Sequence, residues 1–278
     1  MTKDLYSQTS QEINSIITKR YSTSFSAAIK LVDEPSRSHI YNIYGFVRVA
    51  DELVDTLQPH NGSKLLDELL VETKRAITSQ ISLNPVVHAF AITVVRYKIS
   101  NELIEAFFSS MKADLKKTKY TKSAYEDYIY GSAEVVGLMC LSVFVDGNQK
   151  QYNRLLPGAK ALGSAFQKVN FLRDIKSDNK QLGRMYFPKL NFATFDQADK
   201  TAIEAEITSE FEMAKTVINS LPRTSRYGVL LAYYYYRALL GRISRSSVEQ
   251  IKAKRIRVPN VQKAVLFVFV YMSKLLRI

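Results

Sequence analysis

The chain has 278 residues, 46% of them hydrophobic and 23% charged, a balance that excludes both a disordered segment and a small scaffold in need of cross-links. A single cysteine, Cys140, and three histidines, His39, His60 and His88, exclude an internal disulfide and leave no Cys/His framework for zinc. The 39 Lys and Arg against 26 Asp and Glu give a net charge of +13, which favours an anionic partner: nucleic acid, an acidic membrane surface or a polyanionic small substrate.

In chain order the pattern is helical almost throughout. The first 22 residues have no apolar run and carry Asp4 and Glu12, so neither a secretory signal nor a membrane anchor is expected there and the chain is expected in the cytoplasm. Thr9 with Glu12 fits a capping box for a helix running to about Arg20, and Ser22-Thr23-Ser24 reads as a polar turn. Pro35-Ser36 opens a stretch whose Ile40, Ile43, Tyr44, Val47, Ala50, Leu53 and Val54 form one apolar stripe ending near Pro59. Asn84-Pro85 reads as N-cap and first helical residue, Ser123 with Glu126 as another capping box, and Pro157-Gly158 as a break before the next helix. Leu182-Gly183-Arg184 interrupts the pattern, which resumes from Asp196 to Leu221, from Tyr227 to Ile243, and again after Pro259. The apolar run Ala264 to Met272 is far shorter than the roughly 20 residues a membrane crossing needs, so it predicts a helix that is buried or rests on a membrane. No linker, repeat or low-complexity tract divides the chain, which points to one all-α domain over residues 1–278. Neither G-x-G-x-x-G nor a P-loop occurs, so no nicotinamide cofactor is expected.

Two segments could carry chemistry, one around Arg48, Asp51 and Asp55, the other around Asn170, Arg173, Asp174 and Asp178. In each, two aspartates four residues apart share one face of a helix, where like charges repel by a few tenths of a kcal/mol. Asp174 and Asp178 have no Lys or Arg three or four positions away, and Asp51 and Asp55 have only Arg48, so countercharge has to come from elsewhere. A hard divalent cation would supply it: Mg²⁺ takes carboxylates, waters and phosphate oxygens, with Mn²⁺ as the alternative. On spacing alone each pair also fits a solvated helix face, but Asn170, Asp174 and Asp178 form a ladder of oxygen donors suited to a cation. Arg48 and Arg173 are placed to hold diphosphate oxygens through charge-assisted forks.

These segments resemble the two aspartate-rich regions of the squalene/phytoene synthase family, head-to-head prenyl transferases. Tyr21-Ser22-Thr23-Ser24-Phe25 is similar to the family's N-terminal substrate-binding segment. The stretch from Tyr128 to Met139 is similar to its central helix, and Gly183-Arg184-Met185-Tyr186-Phe187-Pro188 follows the second aspartate motif in family order. The resemblance implies an isoprenoid synthase helical bundle around a deep apolar pocket. In it Asp51, Asp55, Asn170, Asp174 and Asp178 hold Mg²⁺ and, through it, prenyl diphosphate substrates. Tyr44, Arg48, Gln167, Arg173 and Arg255 would line the diphosphate region, and Tyr128 and Tyr236 would stand near the reacting carbons. Ser22, Ser24 and Phe25 would contact substrate, and side-chain volume at Ala133, Val136, Gly137 and Cys140 would set the length of chain admitted.

The segments Tyr44 to Thr56 and Val135 to Met139 look most like phytoene synthases, which implies condensation of two geranylgeranyl diphosphates to phytoene through a cyclopropylcarbinyl diphosphate. Farnesyl diphosphate with a C30 product is the alternative, and a non-catalytic lipid-binding relative a second. One departure is Glu134, where the family often has Gly; packing against a neighbouring helix or pairing with Lys is expected. A basic and aromatic stretch from Tyr233 to Arg257 has no recognised nucleic-acid module around it, so nucleic acid is not expected as a partner. An anionic membrane surface is expected to attract the same charge, giving peripheral association.

Overall fold

A computed structural model describes residues 5–55, 61–115, 120–182, 185–188 and 190–277, and among these the chain is helical with no strand. Helix α1 (Leu5–Tyr21) begins before Thr9, whose hydroxyl donates to the Leu5 carbonyl at 2.9 Å, so the expected capping box is not formed. Only Ser22 breaks the chain before α2 (Thr23–Ile29): its extended backbone lets its hydroxyl accept from the Phe25 N–H, and Thr23 and Ser24 are already helical. Helix α3 (Ser36–Asp55) opens directly after Pro35 as expected, while the expected end near Pro59 lies outside the described residues.

Helix α4 (Gly62–Ser79) leads to α5 (Pro85–Tyr97), capped as the sequence predicts by Asn84, whose side chain accepts from the N–H groups of Val86 and Val87. After α6 (Asn101–Asp114), α7 (Lys122–Ile129) is capped by Thr121 rather than Ser123. Thr121 has the extended backbone an N-cap needs and accepts from the Ala124 N–H at 3.2 Å, and Ser123 sits inside the first turn. One π-helical turn, Tyr130–Glu134, joins α7 to α8 (Val135–Phe144).

Helix α9 runs unbroken from Gln149 to Leu182, so Pro157-Gly158 is not a break. Pro157 faces outward, where water can satisfy the carbonyl its missing N–H leaves free, and Gly158 is buried because a Cβ there would lie 2.3 Å from the Val217 side chain. Gly183 and Arg184, read from sequence as the interruption and as part of a motif, are outside the described residues. Helix α10 (Gln197–Ile218) starts on a capping box between Asp196 and Asp199, and α11 (Arg223–Ser244) follows. A short α12 (Val248–Ala253), not anticipated from the sequence, precedes α13 (Asn260–Leu276).

Two large buried clusters form most of the interior among the described residues, and a smaller third joins α2, α11 and α13. The first joins α3, α4, α5, α6 and α8, with Phe46 and Phe90 stacked at 3.9 Å. The second joins α7, α9, α10, α11 and α12, with Phe171 and Tyr186 stacked at 4.2 Å. Such aromatic pairs contribute about 0.5–1.5 kcal/mol beyond their burial. Between the clusters lies a cavity of about 320 Å³ walled by α2, α3, the π turn, α8, α9, α10 and α11. Its size falls within the range of ligand pockets. Helix α13 lies outside it against α2 and α11 through Val270, Leu266 and Phe267. Of the two expectations for the run Ala264 to Met272, burial is overturned, because only Val270 in this helix is buried.

Candidate active site

The cavity is apolar along most of its length and polar at one end, and the two long helices on its walls show the same gradient. Along α3 the lining residues run Ile40, Ile43, Tyr44, Val47, Arg48, Asp51, and along α9 they run Gly158, Ala159, Leu162, Gly163, Phe166, Gln167, Asn170. At 1.5 Å of rise per residue the α3 lining alone spans about 16 Å. The period that places apolar residues on the cavity face of each helix also brings Arg48, Asp51, Gln167 and Asn170 to the same end. The wall between them is made close by Gly163, where a Cβ would stand 2.9 Å from the backbone of Ala133 and Glu134 in the π turn. That turn breaks the α register and turns Ser132 and Ala133 toward the cavity, followed by Val136, Gly137 and Cys140 on α8.

Arg48 holds Asp51 at 3.1 Å and Glu52 at 2.5 Å, and its guanidinium lies 4.5 Å from the centre of the Tyr21 ring. Its buried Nε has no hydrogen-bond partner. Two-fifths of the Asp51 side chain is open, and the residue lines the cavity. Loss of hydration and the neighbouring charge of Asp55 push its carboxyl up to about 7, against the pull of Arg48. The α3 side of the site is rich in carboxylates: Asp51, Glu52 and Asp55.

The α9 side is different. Asp174 is gripped by Arg173, whose Nε donates at 3.0 Å, and by Arg255, whose Nε lies 2.7 Å from its other oxygen. The missing countercharge expected at Asp174 is thus supplied by the adjacent residue and by one 81 positions along the chain. Burial and the neighbouring Arg173 pull the Arg255 guanidinium below its ordinary value. Burial, Arg257 and Arg173 do the same to the Lys263 ammonium. Four cations therefore crowd around Asp174 and Asp178, an arrangement that attracts a further anion. Tyr236 links this cluster to the cavity: its hydroxyl donates to Asn170 Oδ1 at 3.2 Å, its ring stacks on Phe166 at 3.9 Å, and it feels the charges of Arg173 and Asp174. Burial raises the pKa of both Tyr236 and Tyr44, so both hydroxyls stay protonated.

Of the residues singled out from sequence, Phe25, Tyr44, Arg48, Asp51, Ala133, Val136, Gly137, Cys140, Gln167, Asn170 and Tyr236 line the cavity. Arg173, Asp174, Asp178 and Arg255 form the ionic cluster beside it, and Asp55 is exposed one turn beyond Asp51. Ser22 caps α2 and hydrogen-bonds Tyr44, and Ser24 lies in α2 without reaching the lining. Tyr128 is also outside the lining: its hydroxyl donates to Asp114 at 2.6 Å. Glu134 pairs with Lys160 at 3.2 Å and is not in the cavity wall. Burial pushes the Cys140 thiol up to about 12, so it serves the wall as a neutral side chain.

Two features were missed. Asp114 is buried at the end of α6, accepts from the hydroxyls of Tyr120, Tyr128 and Tyr186, and adds to the charge felt by Asp51. It has no acidic neighbour at helical spacing to mark it. Lys263 opens α13 and carried no local signal of the cluster it joins.

Among the described residues no three His, Cys, Asp or Glu side chains already converge as a metal cage. The donors present still fit a hard cation, because Mg²⁺ takes only one or two carboxylates and fills its shell with water and phosphate oxygens. The raised carboxyl of Asp51 shows a negative potential that suits a cation, and the Arg48 guanidinium beside it suits an anion.

Among the described residues, a helical bundle around an apolar cavity with acidic and basic groups at one end defines the class. The family model for squalene/phytoene synthase matches residues 18–262, and the chain belongs to that family. It is 27% identical to the 15-cis-phytoene synthase of Synechococcus elongatus, over 89% of this chain and 87% of that protein. It is 24% identical to the 4,4'-diapophytoene synthase of Staphylococcus haemolyticus, over 83% and 86%. The chain spans about two thirds, 65%, of the length of the plant phytoene synthases it matches, such as phytoene synthase 1 of Arabidopsis thaliana at 27% identity over 92% of this chain. In fold it superposes on a dehydrosqualene synthase with a TM-score of 0.81 and 23% identity, covering 96% of both chains.

Proposed function

We propose that the protein condenses two geranylgeranyl diphosphates head to head into phytoene, through a cyclopropylcarbinyl diphosphate and with release of diphosphate. The observation that carries this reading is the gradient of the cavity: prenyl tails fit its apolar length, and the diphosphates lie at the end where Arg48, Asp51, Gln167, Asn170 and Tyr236 meet. Residues 1–278 act together as one domain.

Arg48, on the cavity wall, donates to one diphosphate, and the cations around Asp174 hold the other. Asp51, Asp55, Asn170, Asp174 and Asp178 are the residues that would hold Mg²⁺. When bound, Mg²⁺ supplies Lewis-acid neutralisation of the charge on the leaving diphosphate. Donors fixed in advance at that end lower the barrier to an allylic carbocation. Phe25 and Phe166, packed with Tyr236 into one aromatic cluster on the cavity wall, exclude water from the cation. Tyr236, a neutral donor anchored on Asn170, keeps the acidic end in register with the apolar wall. The protein works in the cytoplasm, without a nicotinamide cofactor, against an anionic membrane that receives the hydrocarbon.

A C30 synthase using farnesyl diphosphate is the second reading, favoured by the match to a 4,4'-diapophytoene synthase. Incubation with each diphosphate and Mg²⁺, without NADPH, followed by mass analysis of the hydrocarbon, tests both. A C40 triene is expected; a C30 product from farnesyl diphosphate alone moves the assignment to the second reading, and no hydrocarbon from either contradicts both.

A further inference from the structure

Every exposed position of α13 from Val261 to Leu276 carries an apolar or tyrosine side chain. Val261, Val265, Val268, Phe269, Met272 and Leu276 are each 45 to 76% exposed. At 3.6 residues per turn these six fall within about 100° of the helix circumference. The opposite face seats Val270 on α2 and α11, and Lys274 is turned inward, donating to the Leu31 carbonyl at 2.9 Å and pairing with Asp33. This inverts the order of a solvated helix, which puts its charges outward.

The charge around the face is one-sided. Residues 250–278 contain seven Lys or Arg and no Asp or Glu, against a whole-chain excess of +13. Lys254 and Arg257 are exposed just before α13 and Arg277 just after it, so cations bracket the apolar face at both ends. A second copy docking face to face would bring like charges together. An anionic bilayer satisfies both features at once, taking the apolar side chains at the acyl boundary and the cations among its headgroups.

We infer that the outward face of α13 is the surface through which this protein docks on an anionic lipid bilayer, lying in the plane of the interface. The inference rests on the membrane association in the proposed function and names its surface. Helix α13 backs onto α2 and α11, whose other sides wall the cavity with Phe25, Ala28, Ile29, Val229 and Ala232. Docking thereby sets the prenyl-binding cavity one helix layer from lipid.

Flotation of the full chain with phosphatidylcholine vesicles, with and without phosphatidylglycerol, tests this alongside the combined variant Val265→Gln, Val268→Gln, Met272→Gln, with its helicity checked by circular dichroism. The wild type is expected to float with the phosphatidylglycerol vesicles and to be released by salt, and the folded variant to lose at least about tenfold in partitioning. Wild type left in the soluble fraction at low salt, or a folded variant that floats equally well, overturns the inference. So does a wild-type dimer that the variant dissolves, since a second copy then covers the face. Turnover of detergent-dispersed substrate separates the two readings: an active variant that no longer floats supports the docking surface, and a floating wild type without turnover contradicts the proposed function while supporting the surface.

Discussion

The carboxyl of Asp51 titrates near neutrality because burial and the charges of Asp55 and Asp114 outweigh the pull of Arg48. The sign of its effect on stability follows from linkage. In the unfolded chain it ionises near pH 4, and in the fold at about 7, so between those values the folded state keeps a proton the unfolded state has released. Its stabilising contribution is complete below about pH 4 and is lost as the pH rises through about 7. Asp51→Asn is therefore expected to raise the melting temperature of the metal-free protein at pH 8 and to leave it nearly unchanged at pH 4, while abolishing turnover. Thermal unfolding at the two pH values checks it; a lower melting temperature at pH 8 would show that the ionised carboxylate stabilises the fold. The same crowding of charge makes Asp51 the residue at which function is set against stability.

At the scale of elements, the cavity depends on how closely α9 approaches the π turn. Gly163 permits that approach, because the atoms a Cβ would meet belong to the backbone of Ala133 and Glu134 and cannot rotate away. Gly163→Ala is expected to cost about 1–3 kcal/mol in urea unfolding and to raise KM by displacing Ala133 and Val136; wild-type stability and KM would show that the turn yields. The apolar period of α3 was legible in the sequence because its buried face is continuous from Ile40 to Val54, and the same period put Arg48 and Asp51 on the cavity side. Pro157 was not legible as an interior helix residue: its local preference is to end a helix, and only the packing of Gly158 on Val217 and its own outward position override that. The cap of α7 was missed by two residues because Thr121 and Ser123 offer the same hydroxyl, and backbone conformation alone chooses between them. Acid pairs within one helix could be read from spacing. The grip of Arg255 on Asp174 and of Asp114 on three tyrosines joins helix residues to residues outside their own helix, which no local pattern records.

For the molecule as a whole, two packed clusters leave a cavity between them that is apolar along most of its length and at one end brings the carboxylates of α3 toward those of α9 and the arginines around them. That mixture is what binding a diphosphate with a divalent cation requires: carboxylates on both helices for the cation, and Arg48, Arg173 and Arg255 for the anion. The long helical stretch Lys122–Phe144 is apolar enough to resemble a membrane span, yet half of it is buried and its residues line the cavity, so it serves the interior. The most direct test of the account is calorimetric titration of inorganic diphosphate into the wild type, Asp51→Asn and Asp174→Asn, each with and without Mg²⁺. Mg²⁺ is predicted to tighten wild-type binding at least about tenfold and to lose that effect in both variants. Binding that is indifferent to Mg²⁺, or equally Mg²⁺-dependent in all three proteins, would contradict the assignment of the two aspartate motifs to one site.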